Sequence, residues 1–287
     1  MSVSSGFNGL VRSLRATEIE LQEATLRKEA ILSRLQKDFG TTELVRSGSF
    51  GHGTSLPIHS DIDYFAVTPR EKLKRDSNSS LQGFRSSLLT RFPTTSIVVR
   101  SPAVVVPFAS SGVRNHEIVP ADYIESRSGY RVFDIPDRSG GWMRAAPTGH
   151  NGWVNRLNNG LNGRLKELIR LLKCWNYIRS VGLRSFYIEI RTARSMRDEK
   201  AIVFSIDFLT VLRKMSSSEL AVCRDPIGVT SNIYPCSEAA KASALSKIRS
   251  SISYAEKARS YESEGRETMA VQYWDNVFNG QFSRHAT

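Results

Sequence analysis

Three cysteines in 287 residues, none of them in a C-x-x-C pair, leave no zinc ribbon or disulfide framework on which to build a fold. Cys174, Cys223 and Cys236 are scattered, the usage of a chain kept in a reducing compartment. No apolar stretch is long enough to span a membrane. The opening MSVSSGFNGLVRSLR lacks the long apolar core of a signal peptide. The expectation is a cytoplasmic protein with no membrane partner. Repeats of solenoid length are also missing. Acidic residues are in short supply: 28 Asp plus Glu against 40 Lys plus Arg, a net charge of +12. Such a balance suits polyanionic partners, meaning nucleotides, nucleic acid or an anionic surface. It also suits plain solubility, and its sign does not choose among them.

What is present is an ordinary globular composition, 40% hydrophobic and 24% charged. Leu10, Leu14, Leu21, Ile31 and Leu35 recur at helical spacing and predict one long scaffold helix from Phe7 to Phe39, stopped by Gly40. Strands are predicted at 43–46, 61–68, 96–99 and 103–108. A short one at 117–119 is stopped by Pro120. Residues 70–80 read as a polar loop, 81–92 as a helix, and 126–160 as a connector with little periodicity. Leu165, Leu168, Ile169, Leu172 and Trp175 then mark an amphipathic helix. Further helices are predicted from Ser237 to about Gly265 and from Arg266 to Phe278. The expected fold class is α+β. Residues 1–150 would form a mixed sheet with flanking helices and the N-terminal scaffold helix, and 151–287 a helical domain.

The segment Gly48-Ser49-Phe50-Gly51-His52-Gly53-Thr54-Ser55, followed by Ser60-Asp61-Ile62-Asp63, carries the chemistry. It is close to the spacing of a phosphate-binding P-loop. That loop needs Lys where Thr54 stands and a helix directly after it, whereas a Gly/Ser turn and a strand are predicted here. The glycines also miss the dinucleotide-fold order. Residues two apart on a strand share a face, so Asp61 and Asp63 would sit side by side. Adjacent carboxylates repel unless neutralised, and paired Mg²⁺ (or Mn²⁺) ions are the usual neutraliser in phosphoryl transfer. Small residues in the turn would let backbone N–H groups approach phosphates, with the Ser49 hydroxyl as a further donor. His52 sits in this loop, within reach of a phosphate. His59, His150 and His285 have no partners readable from the sequence.

GSFGHGTSLPIHSDIDYF resembles the G-S…D-x-D signature of polymerase-β-like nucleotidyltransferases. Within that superfamily the chain resembles the bacterial CD-NTases, relatives of cyclic GMP-AMP synthase and oligoadenylate synthase, over nearly its whole length. Glu117-Ile118-Val119-Pro120-Ala121 matches the family's D-V-V-P-A strand, with Glu in place of the usual third Asp. Leu171-Leu172-Lys173-Cys174-Trp175 is similar to its L-L-K-x-W helix, and Ser185-Phe186-Tyr187-Ile188-Glu189 to its S-F/Y-x-L-E segment. Asp225-Pro226 with Asn232, and the run Trp274 to Phe282, match its later stretches.

The resemblance implies a bilobal enzyme with a central cleft. Asp61, Asp63 and Glu117 would hold two metal ions, with Glu117 taking the proton of the attacking hydroxyl. Gly48, Ser49, Lys173 and Ser185 would hold phosphates, and Phe186, or else Tyr187, would stack on a base. It also implies nucleoside triphosphate substrates and a cyclic di- or trinucleotide messenger of anti-phage signalling. That messenger would act on a separate effector, and the synthase would be a monomer with no nucleic acid required. From the residues alone, other readings stay open. Glu117 fits a plain strand-end charge. Lys173, with Lys166, Arg170 and Tyr177, fits a solvated stripe, and Phe186 fits a core position. A transferase acting on RNA or a small molecule, or a non-catalytic nucleotide- or RNA-binding module, would carry many of the same features.

Overall fold

The computed structural model describes residues 2–15, 17–57, 60–108, 115–229 and 232–286. The chain divides into two compact units. One comprises Ala16–Trp153 and Ile227–Thr230; the other comprises Met1–Arg15, Val154–Pro226 and Ser231–Thr287.

The predicted single N-terminal helix is two helices, α1 (Val3–Ser13) and α2 (Glu18–Phe39). The break falls before Thr17, whose hydroxyl accepts from Glu20 N–H while the Glu20 carboxylate accepts from Thr17 N–H. This capping box starts a new helix and satisfies donors that a continuous helix would have used. At its far end α2 stops on left-handed Gly40, as the sequence predicts. The break lets α1 join the C-terminal unit rather than the predicted 1–150 domain.

In the first unit follow β1 (Glu43–Ser47), α3 (Gly48–His52), β2 (Ile62–Val67), α4 (Ser77–Arg91), β3 (Val98–Arg100), β4 (Ala103–Val106), β5 (His116–Arg127), β6 (Tyr130–Pro136) and β7 (Trp142–Ala145). The strands form one mixed sheet of order β1-β2-β5-β4-β3, with β6 pairing the far half of β5 and β7 pairing β6. Among the described residues only β2 and β5 run parallel. Alternation along the strands divides the side chains between two faces. Leu44, Ile62, Tyr64, Ala66, Val104, Val106 and Ile118 pack against Ala24, Ile31 and Leu35 of α2 and Leu81, Phe84 and Leu88 of α4. The opposite face carries Phe65, Val67, Ala103, Val119 and Ala121 with Phe133 and Ile135 of β6.

Two expectations fail here. The strand through Glu117 continues well past Pro120, and residues 126–145 form a meander instead of a connector. Proline is tolerated because β5 changes partners around it. The β4 pairing covers 116–118 and the β6 pairing starts at Asp122. The carbonyls of Asn115 and Ala121 accept from β2, so odd residues turn their backbone toward β2. The missing N–H of Pro120 therefore faces the unpartnered edge.

The second unit is α1 with α6 (Arg164–Ile178), α7 (Ser185–Ser195), α8 (Phe204–Ser217), α9 (Glu238–Ser263) and α10 (Glu267–Val277), and a two-stranded ribbon, β8 (Cys223–Arg224) with β9 (Asn232–Ile233). The helix α5 (Pro147–Gly160) is divided between the units. Its core is aromatic. Phe7 of α1 meets Trp274 and Phe282 edge-on, each at 4.8 Å between ring centres. Gly6 and Gly9 permit that approach: a Cβ would stand 2.5 Å from the Phe282 ring and 2.6 Å from the His285 carbonyl oxygen. Trp274, Phe278 and Phe282, singled out as a terminal motif, are thus the seat of α1 and fully buried. No helix among the described residues is long and apolar enough to cross a membrane.

Candidate active site

The site grows from the start of β2 and its two neighbours. Ser47 of β1 stands opposite Asp63 of β2, and Asp63 opposite Glu117 of β5. All three lie on one face of the sheet, at the end away from the Phe65–Phe133 cluster. Asp61 precedes the first residue of β2 rather than lying on the strand. It keeps the two-residue spacing from Asp63, and its charge reaches Glu117. Burial pushes the Glu117 carboxyl above the ordinary range for a glutamate, and the charge of Asp61 adds to it. A hydrogen bond with Asp63 and the Arg100 guanidinium pull the other way. Glu117 is therefore part of an acidic cluster and not an isolated charge at a strand end.

The predicted Gly/Ser turn is a single turn of helix, α3, directly after β1. Gly48 enters it with φ of 56° and Gly53 leaves it with φ of 68°, both left-handed. Gly48 has a second reason to be glycine: a Cβ there would stand 1.8 Å from Asp63 Oδ2 and 2.5 Å from its Cγ. The Asp63 carboxylate occupies the space that any side chain at 48 would need. Ser49 is half-buried on α3, and its carbonyl accepts from Thr54 N–H at 2.9 Å. His52 is buried. His116 is also core, stacked on Tyr64 and edge-on to Phe108. His59 lies outside the described residues.

The donor set, three carboxylates, is all-oxygen and hard, which suits Mg²⁺ or Mn²⁺. Burial and, after it, the Asp61 charge raise the Glu117 carboxyl, and a bound cation would oppose both. The side chains as they stand approach one another pairwise. Among the described residues no group of three Asp, Glu, His or Cys side chains surrounds a common point. Donor chemistry fits a divalent ion, and holding one would require these side chains to turn.

In the helical unit, Lys173 is not on a solvated stripe. It is 4% exposed, and its ammonium donates to Glu189 of α7 at 3.2 Å, with Glu189 1% exposed. Lys166, two turns earlier on α6, is half-buried. Burial pulls its ammonium below the usual lysine range, and the charge of Glu189 partly restores it. Ser185 is exposed as the first residue of α7, and Phe186 is half-buried. Tyr187 is fully buried, its hydroxyl donating to the Ala221 carbonyl at 3.1 Å, so it is a core residue and not a stacking face. Sequence reasoning missed Glu189 as a partner. Helical spacing gives the face of Lys173 but not the acid on the neighbouring helix.

Residues 1–158, more than half of the chain, match the family model of the Second Messenger Oligonucleotide or Dinucleotide Synthetase (SMODS) domain. The chain belongs to this family. The probable cyclic nucleotide synthase IK1_05630 of Bacillus cereus (strain VD146) is 26% identical over 180 residues. That match covers 59% of this chain and 52% of the relative, so it spans about half the length of the curated protein. E. coli MS115-1 CdnC, solved with ATP, superposes with a TM-score of 0.79 at 16% identity, over 98% of this chain and 99% of its own. Vibrio cholerae DncV, a cyclic AMP-GMP synthase solved with the linear intermediate 5' pppA(3',5')pG, gives 0.78 at 12% identity, over 98% and 96%. The SMODS chain thus has the α+β fold of the CD-NTases: a mixed polymerase-β-like sheet with flanking helices, and a helical C-terminal part.

Proposed function

We propose that this SMODS protein is a metal-dependent nucleotidyltransferase that joins nucleoside triphosphates into a cyclic di- or trinucleotide. The observation that carries the reading is the register Ser47–Asp63–Glu117, with Asp61 beside it and Gly48 hollowed out around the Asp63 carboxylate. A ribose hydroxyl of one nucleotide attacks the α-phosphate of another. The new oxygen–phosphorus bond forms as the bond to the β-phosphate bridge breaks, and pyrophosphate leaves. Glu117 takes the proton of the attacking hydroxyl. Asp61, Asp63 and Glu117 are the residues that would hold divalent ions, which when bound neutralise the triphosphate and acidify the hydroxyl. Gly48 and Ser49 line the triphosphate with backbone and hydroxyl donors. In the helical unit the resemblance assigns phosphate contacts to Ser185 and Lys173, Lys173 keeping one of its N–H groups on Glu189, and a base contact to the ring of Phe186. Catalysis is then mainly positioning and charge neutralisation. The product is a second messenger of anti-phage defence that acts on a separate effector, and the synthase works in the cytoplasm.

Incubation with the four nucleoside triphosphates and Mg²⁺ or Mn²⁺, and no added acceptor, tests this. The expected outcome is a phosphatase-resistant product whose mass is that of a cyclic di- or trinucleotide. Labelling that appears only when RNA or a small-molecule acceptor is supplied would replace the cyclase reading with acceptor-directed transfer.

A further inference from the structure

The carboxylate face has two flanks. In register across the sheet stand Ser47, Asp63, Glu117, Val105 and Val98. Gly48 and Ser49 follow Ser47 at the β1 flank. At the β3 flank the last residue is Arg100, two beyond Val98 and so on the same face. Arg100 pairs with Ala103 across the β3–β4 hairpin and is exposed. It makes no ion pair or side-chain hydrogen bond among the described residues. Its guanidinium nevertheless lies near enough to Glu117 to act on it. A cation beside an acidic cluster ordinarily settles into an ion pair; among the described residues this one does not. The planar fork of a guanidinium matches the spacing of two phosphate oxygens. Val98, 40% exposed, adds apolar surface to the same flank.

We propose that Arg100 binds a phosphate of the acceptor, the nucleotide whose hydroxyl attacks. The inference rests on the nucleotidyl-transfer reading. With the donor's triphosphate at the Gly48–Ser49 flank and the attacking hydroxyl at Glu117, the acceptor enters from the β3 side. Among the described residues, Arg100 is the cation that the β3 edge of the sheet presents there. Its chemistry calls for an anionic acceptor, a nucleoside triphosphate or a linear 5′-triphosphorylated intermediate, in preference to an uncharged nucleoside.

The test gives the full-length protein an α-labelled 2′,3′-dideoxy donor, which has no ribose hydroxyl to act as an acceptor. It then compares a nucleoside triphosphate with the matching free nucleoside as acceptor, for each of the four bases. R100A is expected to lower kcat/KM for the triphosphate acceptor about ten- to a hundredfold, and that for the nucleoside by no more than about twofold. Equal loss with both acceptors would mean that Arg100 acts only through its charge on Glu117, and no loss with either would mean that it touches nothing; both overturn the proposal. A calorimetric titration with inorganic tripolyphosphate, on protein whose Gly48–Ser49 flank is already saturated with a non-hydrolysable 2′,3′-dideoxy donor analogue, provides an arm independent of turnover. R100A is expected to weaken binding roughly tenfold, and unchanged affinity overturns the proposal. A wild-type protein that joins no nucleotides at all would count against the transferase reading, and the titration would still decide Arg100.

Discussion

Gly48→Ala is expected to cut nucleotide joining by about a hundredfold or more, for a stability cost of only about 1–2 kcal/mol. The alanine Cβ would fall 1.8 Å from Asp63 Oδ2, far inside contact distance, so the carboxylate must swing away. Displacing one catalytic group by an ångström is enough for a loss of that size. The stability term is the left-handed backbone, φ of 56° at Gly48, which costs a residue with a Cβ about 1–2 kcal/mol. Initial rates of pyrophosphate release, read beside a urea unfolding curve, separate the two effects. A second variant fixes the cause: in an Asp63→Ala background, Gly48→Ala should remove nothing further. Near-normal rates for Gly48→Ala would show that the observed place of the Asp63 carboxylate is not the working one.

Lys173→Met is expected to lower the unfolding free energy by about 3–5 kcal/mol, because it strands the Glu189 carboxylate in the interior. Lys173 and Glu189 are 4% and 1% exposed and 3.2 Å apart, which ties α6 to α7. Removing both charges is a different experiment. Lys173→Met with Glu189→Leu should recover most of the loss, since a well-packed apolar pair often equals or exceeds a buried ion pair. Lys166 also acts on Glu189 and softens the single substitution toward the lower end of the range. Urea midpoints of the two single variants and the double one measure the coupling directly. A loss below about 1 kcal/mol for Lys173→Met would mean that Glu189 has been taken over by Lys166 or by water.

The candidate site was legible where it groups residues at fixed spacing along the chain. Gly48, Ser49, Asp61 and Asp63 are close in sequence, so their grouping needed no knowledge of long-range pairing. Glu117 was placed by resemblance, and the parallel pairing of β2 with β5 supplies its physical reason. The helices α9 and α10 followed from periodicity and fall close to the predicted spans. What stayed hidden depended on partners far along the chain. Pro120 looked like a strand stop because nothing local reveals that β5 exchanges β4 for β6 at that point. The hairpin of β6 and β7 was masked by its Gly, Arg and Asn content. The break between α1 and α2 had a readable signal, Thr17 with Glu20, which unbroken leucine spacing overrode. Lys173 shows the same limit from the other side. A polar residue on a polar stripe looks solvated until the neighbouring helix brings Glu189 against it.

The most direct measurement compares pyrophosphate release from nucleoside triphosphates by the wild-type protein and by the Asp61→Ala, Asp63→Ala double variant, at matched folding and with Mg²⁺ supplied. Release by the wild type and its loss to background in the variant is the expected result. Equal release by both proteins, or a biological activity that survives the double substitution, would contradict a catalytic role for the carboxylate pair and leave the protein a nucleotide-binding module.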